Sequence, residues 1–223
     1  MRRRGLVKHC SLLGLSLALG MMQAPLLAAD AQAAAAKPNV KLILVLGDSL
    51  SAEYGIGRGE GWVALLERRL AKNKQAVTVV NASISGDTTS GGRSRLPALL
   101  QKHRPSHVLV ELGGNDALRG LPLSMTQDNL LAIVGACKAA GAKPIIVGMQ
   151  VPPNYGRQYG EEFAGLFAKV AKAQSAPLVP FLLQGIAERK DAEAWFQADR
   201  IHPLAKAHPQ MLDNVWAVLK GQL

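Results

Sequence analysis

Apolar residues along this chain fall into two alternating patterns. One is the short continuous run. Residues 42–46 read Leu-Ile-Leu-Val-Leu without interruption, and mostly apolar segments at 77–80, 108–112, 144–149 and, more briefly, 176–181 are predicted as further strands. A run with no polar alternation is what a parallel strand covered on both faces requires. The other pattern repeats every three or four residues and predicts helices between the runs. Residues 61–72 carry Trp62, Leu65, Leu66 and Leu70 on one face. Residues 91–102 carry Leu96, Leu99 and Leu100, with Pro97 expected in a first turn, where a missing N–H costs nothing. Residues 124–140 carry Leu130, Leu131, Ile133, Val134 and Cys137, with Gly141 as terminator. Helices are also predicted over 161–173, 186–195 and 204–219, and a loop over 151–156. Strands alternating with helices predict an α/β domain with a parallel sheet and helices on both faces.

The N-terminus breaks this pattern. Arg2, Arg3, Arg4 and Lys8 precede an apolar stretch from Ser11 to Leu27, followed by a small-residue exit, Ala31-Gln32-Ala33. A basic start, a short apolar middle and an Ala-x-Ala exit predict a signal peptide over 1–33. Leu27-Ala28-Ala29 is a second candidate exit. A retained membrane anchor is the alternative, weakened by Gly14, Gly20 and Pro25 within the stretch. Residues 34–40 read as a linker and 41–223 as one domain, placed in the periplasm or secreted. Cleavage after Ala33 takes four of 26 basic residues and Asp30 from 16 acidic ones, leaving 22 against 15, or +7. That surplus is spread out. It reads as a solvated surface, with a weak attraction to anionic membranes as the alternative. Nucleic-acid binding is disfavoured, because aromatics make up 4% of the chain and no nucleic-acid motif appears. Cys137 would be the one cysteine left and reads as a small buried hydrophobe.

Four blocks carry candidate chemistry. Gly47-Asp48-Ser49 follows the first strand, Ser85-Gly86-Asp87 the second, and Gly113-Gly114-Asn115-Asp116 the third. Asp199-Arg200-Ile201-His202 lies near the C-terminus. Ligand sites in open α/β sheets form at the carboxyl ends of strands, where three of these blocks fall. A serine needs an adjacent base to act as a nucleophile. Ser49 is the candidate nucleophile, His202 the base and Asp199 the acid that fixes its tautomer. Backbone N–H groups of Ser49 and Gly86 and the side-chain amide of Asn115 are candidate donors to a tetrahedral oxyanion. Asp48, Asp87 and Asp116 read as loop organisers. His208-Pro209 repeats the His-Pro pair without an upstream acid and reads as a decoy. His103 and His107 are four apart with Pro105 between them, so they read as strand-edge or surface residues rather than a metal pair.

Together the blocks resemble the SGNH (GDSL) hydrolase superfamily, whose lettered residues match Ser49, Gly86, Asn115 and His202. The stretches 80–88, 95–100, 108–116 and 153–156 are similar to its bacterial periplasmic branch of thioesterases, lysophospholipases and arylesterases. The resemblance covers nearly all of residues 41–220. It implies a flavodoxin-like α/β/α three-layer sandwich with a five-stranded parallel sheet. It also implies a serine esterase or thioesterase acting on small acyl esters, with no metal or organic cofactor. A loop at 117–122 is implied to adjust to acyl chains, which makes Leu118 and Leu121, with Pro153 and Tyr155 of the 151–156 loop, candidate substrate contacts. Glu53 stands where a small residue, typically glycine, is expected, and Ala198 where a second acid is common. A carbohydrate O-acetylesterase of the same superfamily and a catalytically silent lipid- or partner-binding protein are the competing readings.

Overall fold

The computed structural model describes residues 41–223. The expected signal peptide and linker lie outside the described residues. Five strands, β1 (Lys41–Gly47), β2 (Val77–Asn81), β3 (His107–Glu111), β4 (Lys143–Val147) and β5 (Leu178–Val179), form one sheet in the order β2-β1-β3-β4-β5. All four pairings are parallel. Six helices connect and flank them: α1 (Trp62–Lys72), α2 (Thr89–His103), α3 (Gly114–Leu118), α4 (Leu123–Ala139), α5 (Arg157–Ala173) and α6 (His208–Leu219). α1 packs with α6, while α4 packs with α2 and α5, so the sheet lies between two helical layers. This is the flavodoxin-like sandwich. No helix among the described residues is long and apolar enough to cross a membrane.

Burial explains why the runs are strands. Ile43, Leu44, Val45 and Leu46 are wholly buried, as are Val108, Leu109 and Val110 beside them. Trp62, Phe163 and Phe167 are the bulkiest fully buried side chains and fill the space between sheet and helices. The order places a topological switch between β1 and β3, where connections leave in opposite directions and a cleft opens. Register then sets Gly47 beside Glu111 at that point.

Four expectations need correction. Pro97 sits inside α2 rather than in its first turn; Pro97 and Arg93, the residue whose carbonyl its missing N–H would have met, are both exposed, so the lost bond lies on the helix's outer side. Residues 186–195 form turns and a short 3₁₀ segment, Ala192–Trp195, instead of a helix. Ile186 is the one fully buried apolar side chain there, too little for an amphipathic face. The final helix begins at His208, after a 3₁₀ turn at Ala205–Ala207. His107 is buried in β3, its ring nitrogens 2.9 Å from Ser106 Oγ and from the Gln222 carbonyl.

Candidate active site

The turn after β1 is built on a buried carboxylate. A Cβ on Gly47 would come within 2.8 Å of Glu111 Oε2, Ser51 Oγ and Ser83 Oγ, so only glycine leaves room for that cluster. Glu111 Oε2 accepts from the Asp48 N–H (3.2 Å) and from Ser51 Oγ (2.7 Å). Trp62 Nε1 donates to the same Ser51 Oγ (3.2 Å), and Asn81 Nδ2 holds the Ser51 carbonyl (2.8 Å). The Asp48 carbonyl accepts from Ser51 and Ala52, and its Oδ1 from the Leu50 N–H. Ser49 therefore stands half-buried on a turn fixed from beneath. Burial, and then the neighbouring Asp48, push the Glu111 carboxyl well above the ordinary glutamate value. Burial also pushes Asp48 up to about 6, against the opposing pull of the Leu50 N–H, His202 and Asn115.

The other two strand-end blocks present amide donors. Ile84 to Asp87 form a turn closed by the Asp87 N–H on the Ile84 carbonyl (3.1 Å), with Gly86 at φ 80°. That third position of a type II turn favours glycine. Arg119 Nη2 takes the Gly86 carbonyl (2.7 Å). Arg95 binds Asp87 (2.8 Å), the Ala82 carbonyl and the Gly47 carbonyl (3.3 Å), tying the ends of β1 and β2 together. Gly113 at φ 122° starts α3, which holds Asn115 in its first turn. Asn115 Nδ2 donates to Asp48 Oδ2 (3.1 Å), which orients the amide and leaves its second proton free. Buried Asp116 accepts from the Thr89 N–H (2.8 Å) and the Thr126 hydroxyl, locking α3 against α2 and α4. Among the described residues, no protein acceptor engages the N–H of Ser49 or of Gly86.

The fourth block lies on a hairpin-like loop with no regular secondary structure of its own. An antiparallel bridge, Phe196 to Pro203, closes its base, and the Gln197 N–H donates to the His202 carbonyl (2.8 Å). Arg200 takes a left-handed φ of 58°, which curls the chain so that Asp199 Oδ1 accepts from the N–H groups of Ile201 (2.9 Å) and His202 (3.0 Å). Asp199 Oδ2 is 2.6 Å from His202 Nδ1, and His202 Nε2 is 2.9 Å from Ser49 Oγ. Partial burial raises the Asp199 carboxyl, but the two backbone N–H groups and the imidazole outweigh it and hold it below the ordinary aspartate value. An ionised Asp199 accepts Nδ1–H, which leaves Nε2 as an acceptor facing the serine.

Ser49, Asn115 and His202 line one cleft of about 500 Å³ whose walls include Leu118, Met149, Pro153, Phe181, Leu183 and Ile201. The arrangement can take a proton from a serine hydroxyl beside an apolar slot. Of the candidate substrate contacts, Leu118 and Pro153 line the cleft. Leu121 and Tyr155 do not, and Tyr155 instead stacks on Tyr159 with centroids 6.2 Å apart. A second cleft of about 500 Å³, against α1 and β2, holds neither the serine nor the histidine.

The decoy imidazole is structural. His208 is buried, and its Nδ1 accepts the Trp62 N–H at the start of α1 (3.0 Å). Cys137 is buried, and burial raises its thiol to about 12. Among the described residues, no three His, Cys, Asp or Glu side chains cluster as metal ligands. Sequence reasoning missed the supporting residues Glu111, Tyr54 and Gln197. Glu111 alone carried a signal, an acid inside an apolar strand run. Glu53 is explained by its contacts. It adopts φ 60°, a conformation glycine would favour, while its Oε1 accepts from the N–H groups of Gly59 and Gly61 (both 2.9 Å).

Comparison with known proteins gives the family. The GDSL-like Lipase/Acylhydrolase family model matches residues 45–209. Esterase TesA of Pseudomonas aeruginosa is 48% identical over 181 residues, covering 81% of this chain and 89% of that one. Thioesterase 1/protease 1/lysophospholipase L1 of Escherichia coli (strain K12) is 45% identical over 171 residues, covering 77% and 79%. The crystal structure of psychrotrophic esterase EstA from Pseudoalteromonas sp., inhibited by monoethylphosphonate, superposes with a TM-score of 0.76 at 40% identity, covering 82% of this chain and 98% of that one. The chain belongs to the GDSL-like lipase/acylhydrolase family, the SGNH hydrolases, and is a carboxylic ester hydrolase.

Proposed function

We propose that the chain is an exported serine hydrolase of carboxylic acyl esters, aryl esters, lysophospholipids and acyl thioesters among them, working through an acyl-enzyme. The observation that carries this reading is the line from Asp199 through His202 to Ser49, at 2.6 and 2.9 Å, opening on an apolar cleft. Ser49 Oγ attacks the acyl carbonyl while its proton passes to His202 Nε2. Asp199 stabilises the resulting imidazolium. The carbonyl oxygen, now negative, takes hydrogen bonds from the N–H groups of Ser49 and Gly86 and from Asn115 Nδ2. Collapse breaks the bond to the leaving alcohol or thiol, which takes the proton from His202. Water then enters, gives a proton to His202 and attacks the acyl carbon, and Ser49 leaves with that proton.

The apolar part of the wall, Leu118, Met149, Phe181, Leu183 and Ile201, suits an acyl chain, and Gln150, Glu188, Glu193 and Arg200 line the same cleft. The names of the P. aeruginosa and E. coli relatives, an esterase and a thioesterase/lysophospholipase, support the same substrate range. Export rests on the signal-like residues 1–33, with a linker at 34–40 and the catalytic domain at 41–223.

The test is hydrolysis of p-nitrophenyl esters from acetyl to palmitoyl by the wild type and by Ser49→Ala. Loss of turnover by about 10⁶-fold in a folded Ser49→Ala protein is the expected result. Turnover that survives the substitution overturns the reading. N-terminal sequencing of the secreted protein checks cleavage after Ala33.

A further inference from the structure

The two halves of the proposed site come from distant parts of the chain. Ser49 and His202 are 153 residues apart and meet through a single hydrogen bond between flexible groups. A second route joins them. The Tyr54 N–H donates to the Ser49 carbonyl (3.4 Å), and the Tyr54 carbonyl accepts from Gln197 Nε2 (2.9 Å). Gln197 in turn donates its backbone N–H to the His202 carbonyl (2.8 Å), and its Nε2 also reaches the Pro203 carbonyl (3.3 Å). The Tyr54 ring lies against the imidazole of His202, with centroids 4.4 Å apart and planes tilted by 41°. Gly55, at φ 72°, lets the two loops approach; a Cβ there would overlap the Gln197 amide.

We infer that Tyr54 and Gln197 form a clasp that positions His202 against Ser49, an inference that rests on the proposed serine mechanism. Tyr54 is not part of the cleft wall, so its contribution passes through the histidine rather than through substrate. Tyr54 as a residue is 51% exposed, which leaves it little packing to lose elsewhere. The ring fixes one face of the imidazole, and the Gln197 amide fixes the hairpin that carries it. Small displacements of a catalytic base are costly in rate, because the reacting atoms must lie within a few tenths of an ångström of a productive geometry. No hydrogen bond engages the Tyr54 hydroxyl among the described residues, so the ring and not the hydroxyl is the working part.

The experiment measures kcat and KM for p-nitrophenyl butyrate with the purified wild type, Tyr54→Phe, Tyr54→Leu, Gln197→Ala and Ser49→Ala, each with a thermal melt. Tyr54→Phe is expected within about twofold of wild type. Tyr54→Leu and Gln197→Ala are expected to lose about tenfold or more in kcat, with KM within about twofold and an unchanged melting midpoint. Wild-type kcat in Tyr54→Leu and Gln197→Ala overturns the clasp. So does a loss carried by KM, which would make these residues substrate contacts. So does a Tyr54→Phe protein as impaired as Tyr54→Leu. If one of these outcomes occurs while Ser49→Ala has lost turnover, the clasp falls and the serine mechanism stands. If Ser49→Ala remains active, the serine mechanism falls and takes the clasp with it.

Discussion

The side of the site that carries Ser49, the proposed nucleophile, and the side that carries His202, the proposed base, are built on different principles. Ser49, Gly86 and Asn115 follow strands whose positions are set by sheet register, and the turn that carries Ser49 rests on wholly buried Glu111. Asp199 and His202 sit on an exposed loop closed by one isolated bridge and a few local hydrogen bonds. On the first side, chemistry and stability share the same atoms, so a change to one changes the other. On the second they are separable, because little of the core depends on the loop.

Asp199→Asn should show that separability most strongly. Asparagine keeps an oxygen to accept the Ile201 and His202 N–H groups, so the loop holds its shape. Its amide no longer accepts Nδ1–H with the strength of a carboxylate, and the imidazole tautomer is lost. Turnover should fall by about 10⁴-fold, while the melting midpoint moves by no more than about 2 °C. A large drop in melting temperature would mean that the loop is structural after all. Gly47→Ala is the matching change on the other side. The new methyl group meets three oxygens at 2.8 Å, one of them on a glutamate that already holds two hydrogen bonds. Overpacking of this kind should cost about 2 kcal/mol and lower the melting midpoint by about 4–8 °C, with turnover falling alongside. An alanine protein as stable as wild type would show that the buried cluster yields easily.

The same contrast explains what could be read from the amino-acid sequence. Residues 42–46 announced their strand because burial on both faces favours an unbroken apolar run, and 108–112 did so with Glu111 as its one polar member, buried because Asp48 and Ser51 hydrogen-bond it. Ser49, Gly86 and Asn115 were candidates because each stands in a turn after a predicted strand, and His202 because Asp199 lies three residues before it; of these, Ser49, Asn115 and His202 line one cleft. Pro97 was misplaced because a local rule about proline ignores which helix face meets water. The 186–195 segment was misread because charged residues such as Arg189 and Lys190 are compatible with a helix locally, while the core offers it only Ile186. Leu121 and Tyr155 were candidates through the resemblance alone; from the same two loops the cleft is lined by Leu118 and Pro153. Tyr54 and Gln197 left no trace, since their bonds join loops 143 residues apart.

The smallest effect to test is one of sign, and it sets the two aspartates against each other. Asp199 is held below its ordinary value, so it stays ionised in both folded and unfolded chains throughout the range from pH 7.5 to 5. Its share of stability is lost only on further acidification, through its lowered folded value. Asp48 is raised to about 6 from 3.8, so between those values the folded chain binds a proton that the unfolded chain does not. That share of stability grows as pH falls from 7.5 to 5. The Glu111 carboxyl, also raised and facing Asp48, acts in the same direction; removing the Asp48 charge lowers it and weakens that contribution too. The melting-temperature gap between wild type and Asp48→Asn should therefore shift in favour of wild type on going from pH 7.5 to 5. The shift should be roughly 1 kcal/mol, or about 2–4 °C. The Asp199 carboxylate, ionised throughout, contributes no such shift of its own over the same range. A flat gap for Asp48→Asn would mean that water reaches the turn beneath Ser49, and the distinction between a buried Ser49 side and an exposed His202 side would fail at the residue next to Ser49.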